Sequence, residues 1–490
     1  MKVLSRRAFI EQMGLGSMAF WAAPQLIGCG GEAGVSTTPG LAYPQFSGTP
    51  VLGGDNGLPF WSRGNYRPVE DEIEAFDLEV IGNLPTELSG YFLRNGSNPR
   101  SGSSEHWFVG DGMLHGIHLE KGRALSYRNR WVQTAALQGN GGMTANRANT
   151  SLLHHHGRSL ALYEVSIPHE FNAADLTTVG EYDFGGSLTG PVTAHPKVDP
   201  ITGELFIIGY SPMGDYLTYS VLSEDGTLLK SQPIDIPNPV MMHDFQITEN
   251  YAVFMDLPIV FDLAQLDSGF PFSWKPELGA RLGIMPRYGN ASEVEWFDID
   301  PCFVFHTFNA FETTAGQVIL EGCRLESLNV QEFTSAESAP TPWAWSIDLE
   351  NKRTQEGPIL DLGMDFPKID ARRQGRRNRI SYGLHLVGST PDYPAHATGI
   401  VKHDRDSGKT EIWHQGEAIQ PDEALFVPAP NAQAEDEGWL LSVVYNRATE
   451  KSEVIVVDAM RVDAGPIARV LLPRRVPFGF HGMWVPQESA

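Results

Sequence analysis

Residues 193 to 210 read TAHPKVDPITGELFIIGY. Asp199, Pro200, Thr202 and Gly203 make a tight turn: Asp and Thr offer side-chain acceptors to the turn backbone, and Gly tolerates a positive φ. The turn leads into Leu205 to Tyr210, an apolar run of strand length and too short for a helix. The same punctuation recurs. YAVFMDLPIVF (251 to 261), CFVFHTFNAF (302 to 311) and WLLSVVYN (439 to 446) alternate with turn residues at 224 to 226, 404 to 408 and 435 to 438. Fifty Gly and thirty-four Pro among 490 residues break the chain too often for long helices. From about residue 50 to the C-terminus no change of composition marks a second domain. The fold class expected is therefore all-β, and a propeller or a multi-sheet sandwich both limit exposed strand edges. Internal repeats are too weak to count blades.

Charge narrows the partners. Thirty-six Lys and Arg against sixty Asp and Glu give a net charge of −24, which repels phosphate backbones, so no nucleic acid is expected to bind. Three Cys are too few for a disulfide-dense scaffold or a Cys-rich metal site, and any metal must sit on His or carboxylates. Cys302 and Cys323 flank one hairpin. With its turn at Thr313 to Gly316, Cys302 would face position 327, and no disulfide is expected.

The first 28 residues read as a targeting segment, with Lys2, Arg6 and Arg7 ahead of an apolar stretch from Met13 to Ile27. Ser5 to Ile10 resembles a bacterial twin-arginine export signal. Leu26-Ile27-Gly28-Cys29 resembles a lipobox, with Cys29 as the lipidated residue. The apolar stretch is shorter than the ~20 residues of a spanning helix. The expected organisation is a signal peptide over 1–28, a lipidated Cys and flexible tether over 29–49, and a single domain over 50–490. The twin-arginine export machinery and a membrane surface would then be partners of an exported, membrane-anchored lipoprotein facing the periplasm or cell exterior.

Four of the fifteen His sit in distinctive settings: Thr193-Ala194-His195-Pro196, Met242-His243-Asp244-Phe245, Phe305-His306-Thr307-Phe308 and Phe480-His481-Gly482-Met483. Their intervals of 48, 63 and 175 residues exclude a local metal motif, so only the fold can bring them together. A closed propeller does this, because its innermost strands converge on one axis. Each alone would ordinarily be a satisfied core His.

The flanking segments resemble the carotenoid cleavage oxygenase family from about residue 66 to Pro486. Gly90-Tyr91-Phe92-Leu93-Arg94-Asn95-Gly96 is similar to its opening strand, and His106-Trp107-Phe108 with Gly110-Asp111-Gly112-Met113 to its next signature. TAHPKVDPITGELFIIGY, MMHDFQITENYAVFMDLPIVFD, RLGIMPRYG and PFGFHGMWVP follow in the family's order. The resemblance implies a seven-bladed β-propeller with a loop and short-helix cap over one axial nonheme Fe(2+) per chain. His195, His243, His306 and His481 match the catalytic metal ligands. Four neutral imidazoles leave the ion's charge uncompensated, and ligating His usually donates its second N–H to an acceptor, so carboxylates belong just outside. Glu164 and Glu423 match two of the family's three Glu positions. Asp365 stands at the third, one methylene shorter, and is expected to reach His306 after a small backbone shift or through water. Val109 replaces a common Asp and reads as a turn-packing change. His154, His155 and His156 precede a turn and read as solvated.

The function this implies is a dioxygenase that splits a C=C bond of a carotenoid or apocarotenoid with O2 as co-substrate, giving two carbonyl products. The alternatives are cleavage of a lignin-derived stilbene, and an apolar polyene-binding propeller without catalysis. The Lys expected just after the segment Tyr127 to Ala136 in stilbene-cleaving members is missing. Candidate tunnel walls are Phe92, Phe108, Phe305, Phe308 and Trp484. Phe270, Phe272 and Trp274 are expected in a loop that touches the membrane.

Overall fold

The computed structural model describes residues 41, 43, 58–140, 145–188, 190–211, 215–331, 339–387, 396–415 and 418–487. The twin-arginine segment, the lipobox with Cys29 and most of the tether lie outside the described residues. The chain forms a seven-bladed β-propeller in which the only helices among the described residues are short 3-10 turns. Apolar runs with frequent Gly and Pro turns produce this result, because each four-stranded antiparallel sheet is covered on both faces by its neighbours.

The first blade holds Glu74–Leu78, Gly90–Ser97, Gly112–Glu120, Arg123–Trp131 and, from the far end of the chain, Gly482–Pro486. The second runs from Ser151–His155 to Thr178–Glu181, and the third from Lys197–Val198 to Leu228–Ile234. The fourth joins Gln246–Ile247, Tyr251–Asp256, Ala280–Pro286 and Glu295–Ile299, with Ile259–Phe261 and Phe272–Trp274 as a separate ribbon. The fifth spans Phe303–Glu312 to Arg353–Pro358 and the sixth Met364–Lys368 to Thr410–His414. In the seventh, Ile419–Pro421 and Leu425–Pro428 both pair with Gly438–Asn446, which is followed by Lys451–Asp458, Pro466–Leu471 and Val80–Gly82.

Both ends of the chain close the ring. Gly482–Pro486 pairs with Gly90–Ser97, with Arg94 opposite Gly482, while Val80–Gly82 pairs with Pro466–Leu471. Two reciprocal strand exchanges cover edges that would otherwise stay open. Gly482 is required at the junction: a Cβ there would lie 2.8 Å from the Leu93 carbonyl oxygen. Cys302 and Cys323 are buried free thiols. No helix among the described residues is long and apolar enough to cross a membrane.

Buried histidines outside the axis couple the fold to pH. Burial pushes His115 down to about 3, with nearby Arg474, Arg94 and Arg475 adding to it, and its Nδ1 lies 2.8 Å from the Tyr127 hydroxyl. Burial also takes His106 down to about 4, against the opposing pull of the Val330 carbonyl. An unfolded His titrates near 6.5, so below that pH the unfolded chain gains protons that the folded chain refuses. The stability these rings contribute is complete above about 6.5 and is lost as pH falls toward 4 and 3. The melting temperature should therefore drop steadily between pH 7 and pH 4 in differential scanning. A pH-independent value would mean that both rings protonate in place.

Candidate active site

Each blade sends one polar residue to the axis. The third, fourth, fifth and first blades contribute His195, His243, His306 and His481, all on or just before an innermost strand. The second, sixth and seventh contribute Glu164, Asp365 and Glu423. Bulges aim two of these. The pairing of Phe303–Glu312 shifts register between Val304 and Thr307 and again by Asn309, which bends the strand at His306. The pairing of Met364–Lys368 shifts between Asp365 and Lys368, where Phe366 has a φ of 52°.

The geometry is close. His195 Nε2 lies 3.0 Å from His243 Nε2. One ligand atom each from His195, His306 and His481 all fall within 4.8 Å of one another. Behind the rings, His243 Nδ1 lies 3.1 Å from both Glu164 oxygens, His306 Nδ1 2.8 Å from Asp365 Oδ1, and His481 Nδ1 2.8 Å from Glu423 Oε1. Asp365 reaches His306 directly, without a bridging water, from a strand that is bulged between Asp365 and Lys368. Its Oδ1 also accepts the Phe366 N–H at 2.7 Å. His195 is held differently, with its backbone N–H donating to Thr193 Oγ1 at 3.0 Å.

Burial governs the electrostatics. Burial, then the neighbouring imidazoles and Lys197, hold His195 well below the ordinary imidazole value. Burial brings His481 down to about 3 despite Glu423. Burial also opposes charge on His243, but the Glu164 carboxylate lifts it above the usual value. Glu423 would be raised by burial; Lys368, His481 and Arg94 instead hold it below the carboxylate range.

This donor set fits a divalent metal. A His243 ring that donates its Nδ1–H to Glu164 presents a bare Nε2. Its 3.0 Å spacing from His195 Nε2 is about that of two nitrogens sharing one ion at ~2.1 Å each. Neutral nitrogen ligands with outer carboxylates suit a first-row transition ion better than Mg2+ or Ca2+, which prefer oxygen.

A cavity of about 600 Å³ opens on His243, His306 and His481. Phe108 and Phe305 line it, as proposed for tunnel walls. Phe92, Phe308 and Trp484 do not. Phe92 and Trp484 pack between the first and seventh blades, and Phe308 packs with Cys323, Met364 and Val401. Side chains alternate along a strand, so an aromatic near a site His can face a neighbouring blade instead of the axis.

The membrane-contact reading of Phe270, Phe272 and Trp274 is corrected in the same way. Phe272–Trp274 is a strand paired with Ile259–Phe261, and Phe270 and Phe272 are buried in the cavity wall. His106 stacks on Phe270 at 4.5 Å between centroids and draws it inward. Trp274 is half-buried against the same core. Leu263 and Leu266, on the intervening turn Leu263–Ser268, are exposed instead, at 71% and 37%. Val109 lines the cavity, so its substitution is more than turn packing. His155 is buried, 2.9 Å from the Gly203 carbonyl, while His154 and His156 are exposed.

Sequence reading missed several cavity residues. Phe478 and Phe480 flank His481 within PFGFHG, and Tyr163 precedes Glu164, so proximity to a site residue was an available signal. Phe366, next to Asp365, carried the same signal; Tyr210 and Tyr216, at the end of one strand and just ahead of the next in the third blade, did not. Tyr210 donates its hydroxyl to Glu164.

The family described as retinal pigment epithelial membrane protein matches residues 66–486. A carotenoid 9,10(9',10')-cleavage dioxygenase 1 of Pisum sativum is 36% identical, over 89% of this chain and 92% of the relative. The carotenoid cleavage oxygenase of Mycobacterium tuberculosis is 33% identical, over 86% and 97%. The crystal structure of a lignostilbene dioxygenase from Pseudomonas brassicacearum superimposes with a TM-score of 0.79 at 30% identity, over 91% of this chain and 100% of that chain.

Proposed function

The chain belongs to the retinal pigment epithelial membrane protein family and is an oxygenase that cleaves C=C bonds, and on that premise we propose that its metal is Fe(II) and its substrate a carotenoid or apocarotenoid. The observation that carries the metal assignment is the meeting of His195, His243, His306 and His481 on the axis, three of them backed by carboxylates. Fe(II) held there would supply the redox chemistry by which O2 adds across one double bond, with both oxygen atoms leaving in two carbonyl products. The chain's own work is binding and aim. Phe108, Phe305, Phe366, Phe478 and Phe480 offer apolar walls that exclude water and hold an extended polyene beside the imidazoles. Such positioning replaces an improbable encounter by an oriented one.

The cavity lining contains no Lys or Arg among the described residues, which favours a substrate without a phenolate. Stilbene cleavage is the second reading. Tyr163, Tyr210 and Tyr216 favour it, because they lie on the cavity wall and could meet a hydroxylated ring. Incubating iron-loaded protein with a carotenoid, an apocarotenal and a hydroxystilbene, with products identified by mass, separates the two. Cleavage of the hydroxystilbene alone would overturn the polyene assignment.

Export through the twin-arginine machinery and lipidation at Cys29 belong to the same proposal, supported by the N-terminal sequence. Leu263 and Leu266 supply a second, weak anchor beside the cavity wall, and stable attachment generally takes two signals. In a Cys29→Ala background, Leu263→Ser with Leu266→Ser should lower liposome co-flotation about tenfold, given the apolar surface removed. Unchanged flotation would reject this turn as an anchor.

A further inference from the structure

The three carboxylates behind the imidazoles differ in their counter-charges. Glu164 meets His243 and the Tyr210 hydroxyl, and Asp365 meets His306 and a backbone N–H. Neither forms an ion pair with Lys or Arg among the described residues. Glu423 does so twice. Its Oε1 forms an ion pair with Lys368 Nζ at 2.7 Å and accepts from His481, and its Oε2 accepts from Arg94 Nη1 at 3.2 Å and the Gly482 N–H at 2.6 Å. Arg94 also pairs with Asp422, and Lys197 pairs with Asp244 beside His243 at 2.7 Å.

Five carboxylates (Glu164, Asp244, Asp365, Asp422 and Glu423) thus surround the site with three cations (Arg94, Lys197 and Lys368). Two negative charges remain, on Glu164 and Asp365, and they match a divalent ion held by neutral imidazoles. A balanced buried site avoids the cost of an uncompensated charge. The bulge in the sixth blade makes this possible. Within Met364–Lys368 it sends Asp365 to His306 and Lys368, three residues on, to the carboxylate behind His481.

We infer that Lys368 is a positioning residue of the metal centre: by neutralising Glu423 it brings the charge around a divalent ion to zero and makes His481 a poorer donor than His243 or His306. A carboxylate that accepts from a ligand's ring N–H raises that ligand's basicity. One already shared with an ammonium and a guanidinium polarises the ring less. The inference rests on the four-histidine metal reading above.

Lys368→Met, Lys368→Gln and Lys368→Arg in the full chain test it, read by Zn(II) titration against a chromophoric chelator and by the Fe(III)/Fe(II) midpoint potential. Without the cation, the Met and Gln variants should bind Zn(II) about tenfold more tightly, the scale of one screened unit charge acting on a divalent ion. Their midpoint potentials should fall, and Lys368→Arg should behave as wild type. A merely structural bracket predicts the opposite sign, with weaker binding in Met and Gln restored in Arg, and that result would overturn the inference. Unchanged affinity and potential in Met and Gln would overturn it too. Wild-type protein that takes up no ion would instead overturn the metal reading, and the inference with it.

Discussion

His481→Ala protein is expected to hold no stoichiometric iron and to show turnover below 1% of wild type. Structural zinc sites with four ligands draw about 10–16 kcal/mol of apparent binding, roughly 3 kcal/mol per ligand, and on that scale one ring is worth a hundredfold or more in affinity. His481 has a further role. It is 5% exposed and joined to Glu423, which also fastens Arg94, Lys368 and the Gly482 N–H at the start of the closing strand. Removing the ring leaves Glu423 buried with its cations but without the partner at its centre. Metal content by elemental analysis and O2 uptake measure the result. Wild-type values for both would remove His481 from the ligand set.

The second large effect concerns Asp365. Asp365→Asn preserves size while removing the charge that aims and strengthens the 2.8 Å contact with His306. Loss of such an outer partner typically costs 10- to 100-fold in metal affinity or activity, and that loss is expected here. Asp365→Glu restores the carboxylate but must seat one more methylene at a position that is only 7% exposed, so its loss should be the smaller of the two. If Asp365 merely closed the turn at Phe366 by accepting its N–H, Asn would serve as well. Wild-type affinity in the Asn variant would support that reading and reduce the supporting carboxylates to Glu164 and Glu423.

The local strand pattern was plain in the sequence. LFIIGY forms Leu205–Tyr210, CFVFHTFNAF opens Phe303–Glu312, and the turn read at Thr313 to Gly316 closes with the Gly316 N–H on the Thr313 carbonyl. The number of blades was not legible, because blades share an alternating pattern rather than a repeated motif. Nor was the exchange of Val80–Gly82 and Gly482–Pro486 between the first and last blades, which depends on contacts some 390 residues apart. For the site, the four His and their carboxylates stood out through distinctive flanks. Lys368 did not, since its meeting with Glu423 depends on a register shift that composition does not announce. The aromatic residues misled for the opposite reason. In a blade packed on both faces, Phe92, Phe308 and Trp484 can bury against a neighbour, and Phe270 turns inward to stack on His106.

The most direct test of oxygenolytic cleavage at this axis is product analysis after turnover under 18O2, using iron-loaded protein and an apocarotenal that it consumes. The account predicts two carbonyl fragments, each carrying one 18O when trapped before exchange with water, and no products from protein lacking iron. Fragments whose oxygen comes wholly from water, or equal turnover without metal, would contradict it.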